Sequence, residues 1–155
     1  MGATLDVYRR YRELLRLGAY DRLTETADEQ WVETCVGLTG WTIGLDIAAA
    51  NFAAGIARAF SELEPTELDV VEKDDFLMIR GKNTAVHTGP FLGIAPTHKR
   101  VTWEFVDMYR VGGDGRLNWH LFVTDWNYVR LQLLGTAPDL PTVPTRRAVL
   151  AENDR

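Results

Sequence analysis

The sequence predicts an α+β domain in which helices pack on one face of a strongly curved, mixed or antiparallel sheet. Three observations lead there: helical apolar spacing in the first 65 of the 155 residues, alternating spacing in the runs that follow, and helical spacing again near residue 130. Helices first and a strand meander afterwards are typical of α+β layouts. A bent sheet closed by helices forms a cone, and a cone of this size holds one internal small-molecule pocket.

Composition limits the possible partners. The formal net charge is −5, which argues against nucleic acid, because phosphate binding needs clustered Lys and Arg. The arginines of YRRYRELLR, residues 8–16, are interpreted as a solvated helix face. The single cysteine, Cys35, excludes an internal disulfide and is interpreted as a buried structural thiol. No apolar run approaches the ~18 residues of a membrane span, so we expect a cytoplasmic protein without membrane contact.

Three helices are predicted before the strands begin. Residues 4–18 have helical apolar spacing, and a short helix follows at 21–28. The segment WVETCVGL is predicted to be extended, and GLTGWTIG to be a loop. Residues 46–63 form the strongest helical pattern, with Asp46 as the expected N-cap and Pro65 as the expected stop.

The second half alternates and then ends in a helix. The predicted strands are 67–73, 76–80, 84–92, 100–111 and 117–125, separated by turn-rich segments. The last helix is predicted at 126–134, ended by Gly135. We expect one domain over residues 1–137 and, over 138–155, a Pro-containing arm that is extended or disordered.

The hairpin at GGDG determines which side chains face the pocket. If Tyr109 pairs with Trp119, alternation puts an apolar, aromatic set with two carboxylates on one face. That set is Trp103, Phe105, Asp107, Tyr109, Trp119, Leu121, Val123 and Asp125. The opposite face carries Thr102, Glu104, Arg110, Asn118 and His120, a more polar list. A bulge at GGDG would slip the register by one residue and exchange the faces.

The two carboxylates have structural and catalytic interpretations. Asp125 precedes the last helix, where Asp is a preferred N-cap worth ~1 kcal/mol. Asp107 could be a hydrogen-bonded structural acid. In the catalytic interpretation, an aromatic pocket raises a carboxylate's pKa by desolvation, which suits it to take and return a proton.

Other polar residues offer fewer functional signals. His87 lies on a neighbouring strand and could donate to a substrate oxygen, although a lone histidine is more often structural. Asn51, the polar residue in an alanine-rich helical stretch, could hydrogen-bond a substrate. The histidines and acids form no HxH or HExxH pattern, so we expect no metal.

Taken together, the segments VHTGPFLGIAPTHKRV, MYRVGGDGRL and VRLQLLG resemble the SnoaL-like polyketide cyclases, α+β cones of the nuclear-transport-factor-2-like superfamily. The resemblance covers about residues 72–135. The residues at expected positions are His87, Gly89, Phe91, Gly93, Pro96, Thr97, Lys99, Arg110, Gly115, Asp125 and Gln132. His98 replaces a glycine of the family pattern, and Trp119 and Leu121 replace its Glu and Trp. These departures imply a more apolar pocket floor.

The resemblance implies ring closure on a polyketide intermediate by intramolecular aldol condensation, without cofactor or metal, in a homodimer paired through the outer sheet face. Its acid/base residue corresponds to Asp125, with His87 or a protonated Asp107 donating to the enolate oxygen. The expected pocket walls are Trp41, Phe91, Trp103, Phe105, Tyr109, Trp119 and Leu121, with Asn51 as a polar contact. Two alternatives remain: a confinement-driven cyclase of a polyene, acting by cycloaddition, and a non-catalytic small-molecule-binding module.

Overall fold

A computed structural model describes residues 3–139, which form helices on one face of a single six-stranded sheet. The helices are α1 Ala3–Leu17, α2 Leu45–Phe52 and α3 Trp126–Leu134. The strands are β1 Ala27–Cys35, β2 Thr42–Ile43, β3 Phe60–Lys73, β4 Phe76–His87, β5 Arg100–Val111 and β6 Leu117–Thr124. The expected C-terminal arm lies almost entirely outside the described residues.

The sheet has the strand order β2-β1-β6-β5-β4-β3. Neighbouring strands run antiparallel except β1 and β6, which are parallel, so the sheet is mixed, and it is not closed. The α+β prediction is confirmed. Residues Leu5, Tyr8, Tyr11, Leu14 and Leu15 of α1 are buried against the sheet in the larger of two core clusters.

A glycine allows an aromatic ring to lie flat across two strands of this core. Gly81 in β4 pairs with Phe105 in β5, and a Cβ at position 81 would lie 2.3 Å from the Phe105 ring. Any other residue would therefore displace the ring. Phe105 in turn stacks on Phe122, with ring centroids 5.5 Å apart, so this contact links three adjacent strands.

The helix predicted at 46–63 differs from expectation at both ends. The residue before α2 is Gly44, which makes no side-chain cap, so Asp46 is not the N-cap. The helix continues as a π-helical turn, Ala53–Ala57, and β3 already begins at Phe60. Pro65 therefore does not end a helix but lies inside β3. This strand is at the sheet edge, where a residue without an N–H is tolerated.

Other boundaries also shift. The short helix expected at 21–28 is a 3₁₀ helix over Tyr20–Glu25, because β1 begins at Ala27. The two strands expected at 76–80 and 84–92 form one strand, β4. Residues 81–83, expected to turn, instead continue the ladder with β5.

The register of the β5–β6 hairpin differs from the prediction. Tyr109 pairs with His120 and Arg110 with Trp119, but Val111 pairs with Leu117, which leaves Asn118 as the extra residue of a bulge. The expected pairing of Tyr109 with Trp119 is therefore wrong by one residue. Because side chains alternate, β6 from Trp119 onward presents the opposite face to the one expected, whereas Leu117, before the bulge, stays in the core.

Candidate active site

A cavity of about 480 Å³ lies between the concave sheet face and the helices. Its wall is mainly apolar and includes seven aromatic residues: Tyr11, Phe52, Phe91, Trp103, Tyr109, Phe122 and Trp126. The size and the apolar wall are typical of small-molecule sites. A flat, largely apolar ligand fits this description.

Several buried polar atoms on the cavity wall lack a hydrogen-bond partner within the described chain. They are Asn83 Oδ1, Trp103 Nε1, Tyr109 OH and Trp126 Nε1, and each belongs to a residue that lines the cavity. A buried polar atom without a partner costs about 1–3 kcal/mol. Four residues around one cavity thus carry a buried polar atom whose cost no contact within the described chain offsets.

A chain of charged side chains crosses the inner end of the cavity. Asp107 on β5 is fully buried, and its Oδ1 lies 2.8 Å from Nε2 of His120 on β6. Nδ1 of the same imidazole lies 3.3 Å from Oε2 of Glu33 on β1, which also accepts from Trp31 Nε1 at 3.0 Å. Glu33 and His120 line the cavity, and Asp107 lies behind them. We refer to Glu33, His120 and Asp107 as the acid/base chain.

The sheet itself positions the acid/base chain. Glu33 pairs with His120 across the parallel β1–β6 ladder, so both point to the concave face. His120 pairs with Tyr109 across β5–β6, and the two rings stack with centroids 4.4 Å apart and an interplanar angle of 7°. The imidazole is thus fixed by one ring stack and two carboxylates.

The two carboxylates determine the charge of His120. Burial lowers its pKa, but the hydrogen bonds and negative charges of Asp107 and Glu33 outweigh burial and raise the pKa above its ordinary value. The raised pKa favours the imidazolium form of His120, in which both ring nitrogens donate to the carboxylates. The protonated His120 ring carries one proton on Nδ1, toward Glu33, and one on Nε2, toward Asp107. Such an arrangement is suited to acid/base chemistry.

Arg12 adds a fourth charge to this end of the cavity. Its Nη1 lies 4.0 Å from Asp107 Oδ2, beyond hydrogen-bond distance, and its side chain is 19% exposed. Burial is the largest single effect and lowers the pKa of Arg12, but the negative charge of Asp107 together with those of the ionised forms of neighbouring tyrosines outweighs it and raises the pKa. The prediction that the arginines of residues 8–16 form a solvated face is thus wrong for Arg12, which lines the cavity.

Asp125, the expected acid/base residue, lies elsewhere. It is exposed, precedes α3, and its Oδ1 accepts from Tyr128 N at 2.9 Å. It does not line the cavity. The expectation that this carboxylate is sequestered from water is wrong, because the bulge at Asn118 turns the odd-numbered positions from Trp119 onward away from the cavity. The geometry matches the alternative interpretation, an N-cap.

His87 is buried but lies outside the cavity lining. Its Nδ1 accepts from Thr97 N at 3.1 Å and lies 3.0 Å from Thr97 Oγ1. Burial lowers its pKa, so the ring is neutral. These contacts tie the end of β4 to the loop before β5, which is a structural role.

The expected substrate contacts divide into two groups. Asn51, Phe91, Trp103 and Tyr109 line the cavity, with Asn51 exposed and its Nδ2 3.4 Å from Thr42 Oγ1. Four others do not line it: Trp41, Phe105, Trp119 and Leu121. Trp41 is 62% exposed and lies 6.3 Å from Trp119, ring to ring, and Phe105 lines a separate cleft beside α1.

The sequence contained signals for the missed residues. Residues 31, 33 and 35 lie on the same face of β1, because side chains two residues apart in a strand point the same way. Glu33 stands between Trp31 and Cys35 on that face, which marks it as a carboxylate in apolar surroundings. Arg12 follows the same helical face as Tyr8 and Leu15. Cys35 lines the cavity and is half-buried, and burial raises the pKa of its thiol to about 11.

The described residues contain neither a metal-binding cluster nor a membrane-spanning helix. No group of three or more His, Cys, Asp or Glu side chains there has an arrangement that could hold a metal ion. No helix in the same range has the length and apolar character needed to cross a membrane.

Comparison with known proteins gives one family and many similar folds. The model of the SnoaL-like polyketide cyclase family matches residues 5–133. A provisionally assigned SnoaL-like polyketide cyclase from Jannaschia sp. CCS1 is 23% identical, with a TM-score of 0.76 over 88% of this chain and 94% of that one. No curated protein matches significantly.

Two other solved structures share the fold at low identity. A SnoaL-like polyketide cyclase from Agrobacterium tumefaciens is 18% identical, with a TM-score of 0.64 over 86% of this chain and 99% of that one. IdmH from Streptomyces antibioticus, a provisionally assigned polyketide cyclase, is 23% identical, with a TM-score of 0.68 over 85% of this chain and 98% of that one. At these identities the structural likeness establishes the fold.

Proposed function

The chain belongs to the SnoaL-like polyketide cyclase family, and from this premise we propose that it closes a ring on a polyketide by a cofactor-independent, aldol-type condensation. We further propose that the acid/base chain of Glu33, His120 and Asp107 moves the proton, in place of Asp125. The observation that carries this assignment is a carboxylate–imidazole–carboxylate chain at the inner end of a cavity with aromatic walls.

Glu33 is the proposed proton acceptor. It lines the cavity with its side chain 20% exposed, and its Oε1 makes no hydrogen bond within the described residues. His120 has no free lone pair while it is an imidazolium, and Asp107 lies behind it. Glu33 is therefore the base that a substrate C–H can reach.

The proposed reaction needs only the substrate and the Glu33 carboxylate, which takes up one proton and later returns it. Glu33 takes a proton from a carbon between two carbonyl groups, which leaves an enolate and a neutral carboxylic acid. The enolate carbon attacks a ketone of the same chain, so a C–C bond forms and the ketone oxygen becomes an alkoxide. The carboxylic acid returns its proton to the alkoxide. General base catalysis of this kind contributes ~10²–10⁴ in rate.

Asp107 and the aromatic wall have supporting roles. Asp107 keeps His120 protonated, and the imidazolium holds Glu33 in place through Nδ1. Asp107 contacts His120 and not the substrate, so it is a positioning residue. The wall residues, among them Phe91, Trp103 and Phe122, fold the chain so that its reacting carbons meet.

The test is product analysis with a linear aryl poly-β-ketone that can close one ring. Wild type should yield a ring-closed product of unchanged mass or its dehydrated form, and Glu33→Gln should yield none while it still binds the ketone. If Glu33→Gln matches wild type and Asp125→Asn is inactive, the acid/base assignment is wrong. Asparagine is also a good N-cap, so Asp125→Asn should fold.

The same experiment, repeated with a linear polyene, separates the two alternatives. A confinement-driven polyene cyclase needs shape rather than a base, so it would close no ring on the poly-β-ketone, and its Glu33→Gln variant would still convert the polyene. A binding module would retain the ketone without converting it, in wild type and variant alike.

We also propose that the chain forms a homodimer through the outer sheet face. This face carries Trp119, Leu121 and Val123 of β6, and Val123 is 37% exposed. Trp41 covers only part of Trp119 and is itself 62% exposed. Light scattering should give twice the monomer mass for wild type. The Leu121→Lys variant should give the mass of one monomer.

A further inference from the structure

Arg12 is a charged group without a hydrogen-bond acceptor. Within the described residues its guanidinium makes no hydrogen bond, and its one ion-pair contact is the 4.0 Å approach to Asp107. It lines the cavity and also a second cleft of about 560 Å³ beside α1. Arginine carries five donors in a fixed planar fork. These donors can reach a ligand in the cavity from the protein interior.

Tyr109 presents a second donor on the same wall. Its hydroxyl is fully buried and has no hydrogen-bond partner among residues 3–139, and the residue lines the cavity. The Tyr109 ring packs against Tyr8 and Tyr11 of α1, with ring centroids 5.1 and 6.3 Å apart, so Tyr109 lies beside the helix segment that carries Arg12. Burial raises the pKa of Tyr109, so the hydroxyl keeps its proton and can donate.

The charges nearby show which acceptor suits these donors. Arg12 and the His120 imidazolium balance Asp107 and Glu33, so the four groups have no net charge. A ligand that arrives as an anion would disturb this balance. A ligand that becomes an anion by giving its proton to Glu33 does not, because the negative charge only moves from Glu33 to the ligand oxygen.

We propose that Arg12 and Tyr109 form an oxyanion site that binds the enolate oxygen of a β-dicarbonyl substrate. This inference rests on the proposed function and adds the group that stabilises the charge that Glu33 creates. Donors fixed in place before charge develops stabilise an intermediate without reorganisation, and loss of one such donor typically costs ~10²–10³ in rate. The substrate class follows: a neutral 1,3-dicarbonyl compound that enolises beside Glu33.

The test uses 1,3-indandione, a flat diketone whose enolate has its own absorption band, and 1-indanone, which lacks the second carbonyl. Bound to wild type, indandione should show an enolate-to-ketone ratio at least ~10-fold above that in buffer at the same pH. Arg12→Gln and Tyr109→Phe should each lower this ratio, Arg12→Lys should restore part of it, and none should change 1-indanone affinity.

Arg10→Gln is the matched control. Arg10 lies on α1, pairs with Glu13 at 2.6 Å, and lines neither cavity, so its loss should leave the ratio unchanged. A wild-type ratio in Arg12→Gln and Tyr109→Phe would overturn the proposal, as would an equal loss of 1-indanone binding. If Arg12→Gln does not fold, the Tyr109→Phe variant decides alone. It removes only a hydroxyl that makes no hydrogen bond within the described residues, so this variant should fold.

Failure of this inference and of the proposed function can be told apart. If wild type stabilises the bound enolate but closes no ring on the poly-β-ketone, the oxyanion site stands and the cyclase proposal fails. If ring closure occurs and neither variant changes the ratio, the cyclase proposal stands and the oxyanion site fails.

Discussion

Replacing Asp107 with asparagine removes one negative charge from the interior and nearly preserves the side-chain shape. Asp107 is fully buried, 2.8 Å from His120 and 4.0 Å from Arg12. The amide oxygen of asparagine can still accept from His120 Nε2. The change therefore tests the charge and not the packing.

The expected destabilisation follows from the two cations left behind. Breaking a buried ion pair by removing one partner costs about 3–5 kcal/mol, since the remaining charge is uncompensated. Small domains are stable by about 5–15 kcal/mol in total, so the loss is a large fraction but leaves a folded protein to measure.

The cost should depend on pH in one direction. The folded-state pKa of His120 is raised, so the stabilisation from its ion pair is fully present below the unfolded value of about 6.5. It is lost as pH rises through the folded-state pKa. Above that pH the imidazole is neutral, Arg12 alone lacks its partner, and the cost of Asp107→Asn should shrink.

Urea unfolding followed by tryptophan fluorescence, at about pH 6 and about pH 9, measures both effects. Asp125→Asn serves as the control, since it exchanges one good N-cap for another at an exposed site and should change stability by less than about 0.5 kcal/mol. A cost for Asp107→Asn below about 1 kcal/mol at the lower pH, or an equal cost at both, would refute the assigned charge network.

Three further predictions concern packing, α3 attachment and the cavity thiol. Gly81→Ala should cost about 1–3 kcal/mol in urea unfolding, because its Cβ would meet the Phe105 ring; no loss would mean that the ring moves freely. Gln132→Leu should cost about 1–3 kcal/mol, because its amide makes hydrogen bonds of 2.9 and 2.8 Å to the Thr102 backbone; unchanged stability would contradict that attachment. Iodoacetamide should label Cys35 with a pH midpoint of about 11, and bound 1-indanone should slow it; labelling with an ordinary thiol midpoint would place Cys35 outside the cavity wall.

Elements defined by local pattern could be predicted from the sequence. The prediction for α3, 126–134, matches its bounds, because Asp125 caps one end and Gly135 adopts a left-handed φ of 77° at the other. The helix ahead of β3 could not be bounded, because Pro65 is a stop signal in a helix but is tolerated in an edge strand. Only the position of β3 in the sheet decides between the two.

The site was harder to predict because it depends on pairing between distant segments. Asp107 was identified, but His120 was placed on the outer face, since nothing local marks Asn118 as the bulged residue. Glu33 meets His120 only through the parallel β1–β6 pairing, which joins segments almost 90 residues apart. No periodicity reveals such a pairing.

The residues that carried the family resemblance turn out to hold the fold together. His87 binds Thr97 through its Nδ1, and Lys99 Nζ donates to the Leu133 carbonyl at 2.9 Å, near the end of α3. Gln132 attaches the same helix to β5. Such contacts preserve a cone whatever its cavity contains, so the resemblance identified the fold more directly than the chemistry.

The central claim, proton removal by Glu33 inside the cavity, can be tested without ring closure. The measurement is deuterium exchange at the central CH₂ of 1-phenyl-1,3-butanedione in D₂O, followed by NMR. Wild type and Asp125→Asn should accelerate exchange, and Glu33→Gln should lose about 10²–10⁴ of that rate. Exchange that survives in Glu33→Gln and disappears in Asp125→Asn would contradict the account.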